Sequence, residues 1–142
     1  MKKIQYIGCF FDYELIQKLA KAQRESRLFR TITSPHVTIW YHPKTVPYDM
    51  LGSSITVECI GYGCDSENEA FEVKFKDYPE ALHTLLEKVE TPHITLSVSK
   101  NGKPVNSNKL VFQSITPFTI QGVFGAMGND GFVHTDKQSL CD

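Results

Sequence analysis

Two histidines occupy matching positions in the sequence, each two residues before a threonine. His36 and Thr38 lie in the stretch SPHVTIWYHP, and His93 and Thr95 lie in TPHITLSVSK. Each copy reads hydroxyl-bearing residue, proline, histidine, β-branched residue, threonine, aliphatic residue. The β-branched residues around each histidine are typical of a strand. The repeated phrase therefore predicts two strands that carry the same pair of polar side chains.

The spacing of the polar residues places them on one face of each strand. Residues i and i+2 of a strand point to the same side, so each histidine shares a face with its threonine. Val37 and Ile94, which lie between the polar residues, then point to the opposite face, and we expect that face to pack against helices. If two similar lobes supply the strands, the polar pairs face each other across a groove.

Two imidazoles and two hydroxyls in one groove suit phosphodiester chemistry. A neutral histidine can accept the proton of an attacking water or ribose hydroxyl, and a protonated one can donate to the leaving oxygen, because the unperturbed pKa of imidazole is ~6.5. Threonine hydroxyls can donate to the non-bridging phosphate oxygens, where negative charge accumulates. A zinc site would need a third His, Cys or carboxylate ligand at usable spacing, and the motifs offer threonines instead. The sequence therefore predicts a reaction without metal or cofactor.

Each motif ends a longer repeat of strand, helix and strand. The first copy runs through YIGCFF, DYE and a helix to PHVTI, and the second runs through FEVKF, KDYPE and a helix to PHITL. The spacing of apolar residues predicts helices over 13–24 and 78–90, with Asp12 and Asp77 as their N-caps. The segments SITVECIGYG and AFEVKFK are predicted to form a hairpin, and further strands are predicted in the last third of the chain.

The phrases PHVTI and PHITL resemble the paired His-x-Thr/Ser-x motifs of the 2H phosphoesterase superfamily. That superfamily includes RNA 2′,3′-cyclic phosphodiesterases, LigT-like 2′-5′ RNA ligases, and small viral enzymes that destroy 2′-5′ oligoadenylates or cyclic oligonucleotides. The resemblance implies that His36, Thr38, His93 and Thr95 are the catalytic residues. It also implies an α/β (α+β) fold that is bilobal, with two pseudo-symmetric strand–helix–strand lobes and antiparallel sheets around a central cleft.

Length and composition limit the substrate. A chain of 142 residues is about one domain long, and we treat residues 1–142 as one domain. Its net charge of −1 argues against a partner such as long double-stranded nucleic acid, which needs a large basic excess. The expected partner is a small nucleotide or short RNA substrate. The first expectation is a cyclic nucleotide or cyclic oligonucleotide signal, whose removal by a viral member of the superfamily would evade antiviral defence.

Two alternatives remain open from the sequence. One is a phosphodiesterase or ligase acting on an RNA 2′,3′-cyclic phosphate or 2′-5′ linkage, and the other is a nucleotide-binding module without turnover. No apolar run is long enough for a membrane helix. The four cysteines form no Cys-x-x-Cys pair, which fits a reducing compartment. A cytoplasmic location is therefore expected, that of the host for a viral protein, and the oligomeric state stays open.

Four further residues are candidates for substrate binding. By strand alternation Trp40 falls on the face of His36, where it would stack on a base or pack at the edge of the cleft. Tyr6 lies in the first predicted strand and would line the cleft. Lys100 and Lys103 flank a turn after the second motif, where they would attract phosphate or form a solvated hairpin tip.

Overall fold

One antiparallel sheet of eight strands organises residues 1–23 and 30–141, which the computed structural model describes. The strands are, in chain order, β1 (Ile4–Phe10), β2 (Arg30–Thr31), β3 (His36–Tyr41), β4 (Ser54–Cys64), β5 (Asn68–Asp77), β6 (His93–Val98), β7 (Gln113–Gly128) and β8 (Val133–His134). The α-helices are α1 (Tyr13–Lys21) and α2 (His83–Glu87), and short 3₁₀ helices span Tyr48–Met50, Glu80–Leu82, Pro104–Lys109 and Gln138–Leu140. The predicted α+β class with antiparallel pairing is confirmed. None of the helices in these residues has the length and apolar character to cross a membrane.

The order of the strands repeats itself about the centre of the sheet. The order is β2-β6-β5-β4-β7-β1-β3, with β8 on β7. The two strands of the first repeat, β1 and β3, pair with each other, as do β5 and β6 of the second. The repeats are therefore related about the β4–β7 pair. They share one continuous sheet, whereas the sequence suggested a sheet for each lobe.

The sheet is strongly curved. Strands β3 and β6 are five places apart in the order, which would separate them by about 24 Å in a flat sheet. Their Cα atoms nevertheless come within 8 Å of each other. Cα atoms of α1 also come within 8 Å of β6, and those of α2 within 8 Å of β3. Each helix thus contacts the histidine-bearing strand of the other repeat.

The apolar faces of the two motif strands lie in the core, as predicted. Val37 is 1% exposed and Ile94 is fully buried. Both belong to a cluster with Ile16 and Ala20 of α1 and with Leu86 of α2. Burial of a side chain of this size stabilises the fold by roughly 1.5–3 kcal/mol, so the packing of helices on the motif strands fixes which face the histidines occupy.

The helices begin and end differently from the prediction. Asp12 caps α1, because its Oδ2 accepts a hydrogen bond from the amide of Leu15 at 2.9 Å. The helix ends at Lys21, before the predicted end at residue 24, which itself lies outside the described residues. Of the helix predicted over 78–90, a 3₁₀ turn and α2 cover Glu80–Glu87; the predicted cap at Asp77 is wrong, since Asp77 ends β5. Pro79 has an extended backbone and restricts the residue before it to extended conformations, so helical structure is delayed.

Candidate active site

Both His-x-Thr pairs line a single cleft between the ends of the curved sheet. The cleft has a volume of about 770 Å³ and is lined by His36, Thr38, His93 and Thr95 among other residues. This volume lies within the range of small-molecule pockets, ~300–1,000 Å³. The structure therefore brings together the four residues that the sequence predicted to share a groove.

The orientation of His36 is set by the backbone just before it. Its Nδ1 lies 2.8 Å from the carbonyl oxygen of Ser34. Because a carbonyl oxygen can only accept, Nδ1 carries a proton in this bond. The other ring nitrogen, Nε2, is then the one that can accept or donate a proton at a ligand.

His93 is held in the same way. Its Nδ1 lies 2.9 Å from the carbonyl oxygen of Thr91, again two residues earlier in the chain. The proline between each carbonyl and its histidine fixes φ of that residue, which helps to keep the carbonyl in place. Both histidines therefore offer Nε2, and a backbone carbonyl fixes the tautomer of each neutral ring.

A group of aromatic rings lies next to the imidazole of His36. The ring of Tyr6 stacks on the imidazole at 4.7 Å between centroids, and the ring of Phe10 lies 5.4 Å from it. The ring of Tyr41 in turn lies 5.4 Å from that of Tyr6. Burial, with a smaller contribution from Tyr41, raises the pKa of Tyr6 to about 12, so its phenol stays neutral through the physiological range.

Burial lowers the pKa of both histidines. For His36 the loss of solvent is the largest cause, the hydrogen bond to Ser34 opposes it, and the charge of His93 lowers the pKa further. For His93 burial again dominates and the hydrogen bond to Thr91 opposes it. The two histidines therefore resist being in the imidazolium form at the same time, which favours one neutral base and one protonated acid.

The two threonines have different surroundings. Thr38 is half-buried, and its hydroxyl makes no hydrogen bond with any residue in the described part of the chain. Thr95 is 7% exposed. Its Oγ1 donates to the carbonyl of Pro104 at 3.2 Å and lies 2.9 Å from Oγ of Ser107. The sequence motif treats the two hydroxyls as equivalent, but only that of Thr38 is free in this arrangement.

Trp40 does not share the face of His36, so the prediction from strand alternation is wrong. Gly8 of β1 pairs with Thr38, but Ile7 pairs with Trp40, which leaves Ile39 as an extra residue in β3. Such a bulge reverses the faces that follow it. Trp40 therefore packs against the core, and the next residue, Tyr41, lines the cleft.

The second motif strand has a bulge at the same place. Ala70 of β5 pairs with Thr95, and Glu69 pairs with Ser97, so Leu96 is the extra residue. In both repeats the bulge falls directly after the motif threonine. The repeat therefore extends beyond the side chains of the motif to the backbone geometry of the strand, which no side-chain pattern had indicated.

The remaining predicted contacts divide between cleft and solvent. Tyr6 and Lys103 line the cleft. Lys100 is exposed and lies in a turn closed by the amide of Gly102 and the carbonyl of Ser99, outside the cleft lining. Of the two alternatives for Lys100, this position agrees with the solvated hairpin tip and not with a phosphate contact.

The cleft also includes residues that the sequence had not indicated. Tyr41 and Glu90 lie at its rim, and Asn108 belongs to the 3₁₀ helix beside it. Tyr41 is 60% exposed. Glu90 and Asn108 come from a turn and a short helix with no recognisable pattern, so only the folded chain shows that they belong to the cleft.

Metal ligands and thiols play no visible part in the cleft. Among the described residues, no group of three or more His, Cys, Asp or Glu side chains is placed to hold a metal ion. The four cysteines form no disulfide, and Cys9 and Cys59 are buried. The chemical groups available for catalysis in the cleft are therefore imidazole, hydroxyl, phenol, ammonium, carboxamide and carboxylate.

Assignment of a function depends on these groups and their geometry. His36 and His93 line the cleft, and imidazole is the side-chain group whose unperturbed pKa lies closest to neutral pH. Comparison of the chain with models of known protein families and with curated proteins finds no match.

Proposed function

We propose that the protein is a metal-independent phosphodiesterase that cleaves a phosphodiester next to a ribose 2′-oxygen in a small nucleotide. The observation that carries this proposal is the matched pair of histidines in one cleft. In both His36 and His93, Nδ1 is held by a backbone carbonyl, which leaves Nε2 available to substrate. The preferred substrate is a cyclic nucleotide or cyclic oligonucleotide signal.

The roles of the two histidines follow from their surroundings. His36 is stacked on Tyr6, and both burial and the charge of His93 lower its pKa. It is therefore the better candidate for the neutral general base. For His93, by contrast, burial lowers the pKa without an added charge effect, and the hydrogen bond to Thr91 opposes that decrease. His93 is accordingly assigned as the general acid.

The reaction requires one proton transfer at each histidine. Nε2 of His36 takes the proton from a water molecule or a ribose 2′-hydroxyl, and that oxygen forms a bond to phosphorus. The bond from phosphorus to the leaving oxygen breaks, and Nε2 of the His93 imidazolium gives its proton to that oxygen. The free hydroxyl of Thr38 donates to a non-bridging oxygen, where charge increases in the transition state.

The form of the cleft favours a compact substrate. Its volume is about 770 Å³, and the net charge of the chain is −1. A long duplex would need many cationic contacts with phosphates, whereas Lys103 is the lysine that lines this cleft among the described residues. Tyr41, which is 60% exposed at the rim, is placed to stack on a base. Its role is the one that the sequence assigned to Trp40.

The substrate can be identified by a screen with four classes of nucleotide. These are cyclic dinucleotides, cyclic trinucleotides, 2′-5′ oligoadenylates and 2′,3′-cyclic nucleotides, with products identified by mass. Cleavage of the last two classes alone would favour an enzyme of RNA ends. Binding without turnover of any class would favour a nucleotide-binding module and would overturn the catalytic proposal.

A matched control separates the cleft histidines from other histidines. Replacement of His36 or His93 by alanine should abolish most of the activity found in the screen. His83 is exposed and hydrogen-bonded to Tyr78 outside the cleft, so His83→Ala should leave the activity unchanged. Equal losses in all three variants would point to a general effect on folding, which the free energy of unfolding of each variant would reveal.

A further inference from the structure

We propose that a buried chain of hydrogen bonds through Asn68, Ser107 and Thr95 holds one wall of the cleft in place. In this arrangement Thr95 is a positioning residue, and Thr38 is the threonine that donates to the substrate. The inference rests on the proposed function for its kinetic consequences, but the arrangement of the wall can be tested without any activity.

The wall is the 3₁₀ helix Pro104–Lys109 together with the residue before it. Lys103, Pro104, Val105 and Asn108 line the cleft along this segment. A 3₁₀ helix of six residues has strained hydrogen bonds and little stability of its own. Val105 is 62% exposed, so apolar burial of this residue contributes little. The wall therefore depends on contacts that anchor it to the sheet.

Asn68 and Ser107 supply the first anchors. Nδ2 of Asn68, in β5, donates to the carbonyl of Lys103 at 2.8 Å and to Oγ of Ser107 at 3.1 Å. Asn68 is 1% exposed and Ser107 is fully buried. Loss of one partner would leave a buried polar atom without a hydrogen bond, which is costly in this environment. These bonds therefore fix both the beginning and the middle of the wall.

Thr95 is the last member of this hydrogen-bond chain, and this determines which group accepts its hydroxyl proton. Because Oγ of Ser107 accepts from Asn68, its own proton is available for Oγ1 of Thr95, 2.9 Å away. Oγ1 of Thr95 in turn donates to the carbonyl of Pro104 at 3.2 Å. Its single proton is thus used inside the protein. Donation to a phosphate oxygen would require Thr95 to release the wall.

Among the described residues, the first repeat has no counterpart of this hydrogen-bond chain. By strand register, the position of Asn68 corresponds to that of Tyr6. Each lies two residues before the residue that pairs with the motif threonine. Tyr6 packs against His36, and within residues 1–23 and 30–141 no wall segment is hydrogen-bonded to Thr38. The two repeats therefore have different roles in this proposal. Thr38 of the first repeat presents a free hydroxyl to the cleft, and Thr95 of the second repeat holds the wall.

Hydrogen exchange measures the wall directly. In Thr95→Val and Ser107→Ala, amides within 104–110 should exchange at least about tenfold faster than in the wild type, as expected for the loss of a buried hydrogen bond. The amide of Leu110, which donates to the carbonyl of Ser107, is a suitable reporter. Thr38→Val should leave these rates unchanged, and Thr95→Ser, which restores the hydroxyl, should restore them.

Kinetics then distinguish positioning from direct donation. Thr95→Val and Ser107→Ala should each raise KM about tenfold and change kcat less than about threefold, and the double variant should be no worse than the poorer single variant. Thr38→Val should instead lower kcat by about 10²–10³-fold with little change in KM. Serine at position 95 should recover most of the wild-type KM.

Two results would overturn the proposal. One is unchanged exchange in 104–110 for both Thr95→Val and Ser107→Ala. The other is a loss of kcat in Thr95→Val as large as that in Thr38→Val, with unchanged KM. If the wild type hydrolyses none of the screened nucleotides, the proposed function fails, but the exchange rates still decide whether this chain of bonds holds the wall.

Discussion

Gly8 is a position where one added methyl group should disturb the candidate active site directly. It pairs with Thr38 beside the bulge in β3. A Cβ built on Gly8 would lie 2.6 Å from the carbonyl oxygen of Val37, closer than such atoms approach in real structures. Strand β3 would have to move by a few tenths of an ångström or more. Since the Cβ is held rigidly on its Cα and the oxygen of Val37 is backbone, no side-chain rotation can relieve the clash.

The displacement should affect both stability and catalysis in Gly8→Ala. Forced overpacking of a buried position typically costs ~1–3 kcal/mol, so urea unfolding should show a loss in that range. Movement of Thr38 and its neighbouring histidine by up to an ångström should lower kcat/KM by ~10–100-fold, measured on the substrate that the nucleotide screen identifies.

Ala70 offers a matched control, because it occupies the corresponding position opposite Thr95 in the second repeat. Ala70→Gly removes a methyl group that already fits, so it should cost about 1 kcal/mol and change kcat/KM only a few-fold. Wild-type stability and activity in Gly8→Ala would contradict the close approach of β1 to β3, and with it the account of how the first motif is positioned.

Four further predictions concern the cleft. His36→Ala and His93→Ala should each lower activity by ~10²–10⁴-fold in folded proteins, and the double variant should be little worse than the poorer single variant; a single variant with most of its activity would refute the assignment. Turnover should survive EDTA, and loss on chelation with recovery on zinc or manganese would establish a metal enzyme. Because burial lowers both histidine pKa values, the unfolded state binds more protons than the folded state below pH ~6.5. The free energy of unfolding should therefore decrease as pH falls from the unfolded to the folded pKa, by up to ~1.4 kcal/mol per histidine for each pH unit. Urea unfolding at several pH values that shows the opposite slope in that window would contradict these shifts. Tyr41→Ala should raise KM with little loss of stability, whereas Trp40→Ala, at a partly buried position, should lower stability by ~1–3 kcal/mol; steady-state kinetics and urea unfolding with the reverse pattern would restore Trp40 to the cleft.

The sequence predicted which motif residues face the core and which face the cleft better than it predicted the register of the motif strands. Alternation is a local property of an extended chain, so the burial of Val37 and Ile94 opposite the histidines followed from spacing alone. The bulge after each threonine was not predictable, because Ile39 and Leu96 are as suitable for a regular strand as for a bulge. One extra residue was enough to move Trp40 into the core and Tyr41 into the cleft.

Other differences arise where tertiary contacts override local preference. The stretch after Asp77 has helical periodicity, but Pro79 keeps the chain extended and leaves only a short helix. The 3₁₀ helix Pro104–Lys109 is hydrogen-bonded through Ser107 to Asn68, which is distant in sequence and belongs to β5. Contacts of this kind have no signature in a single sequence, so the difference between Thr38 and Thr95 was hidden by the identity of the motifs.

The place of β1 between β3 and β7 affects how the chain folds during synthesis. The first strand can pair with β3 early, but its other neighbour, β7 (Gln113–Gly128), is made some hundred residues later. At about 5–20 residues per second, the nascent chain keeps one edge of β1 open for on the order of ten seconds. An open strand edge can pair with other chains. The strands of the first repeat therefore cannot complete their pairing on the ribosome until the second repeat has been made. Although the sequences of the two repeats are similar, neither repeat is an independent folding unit.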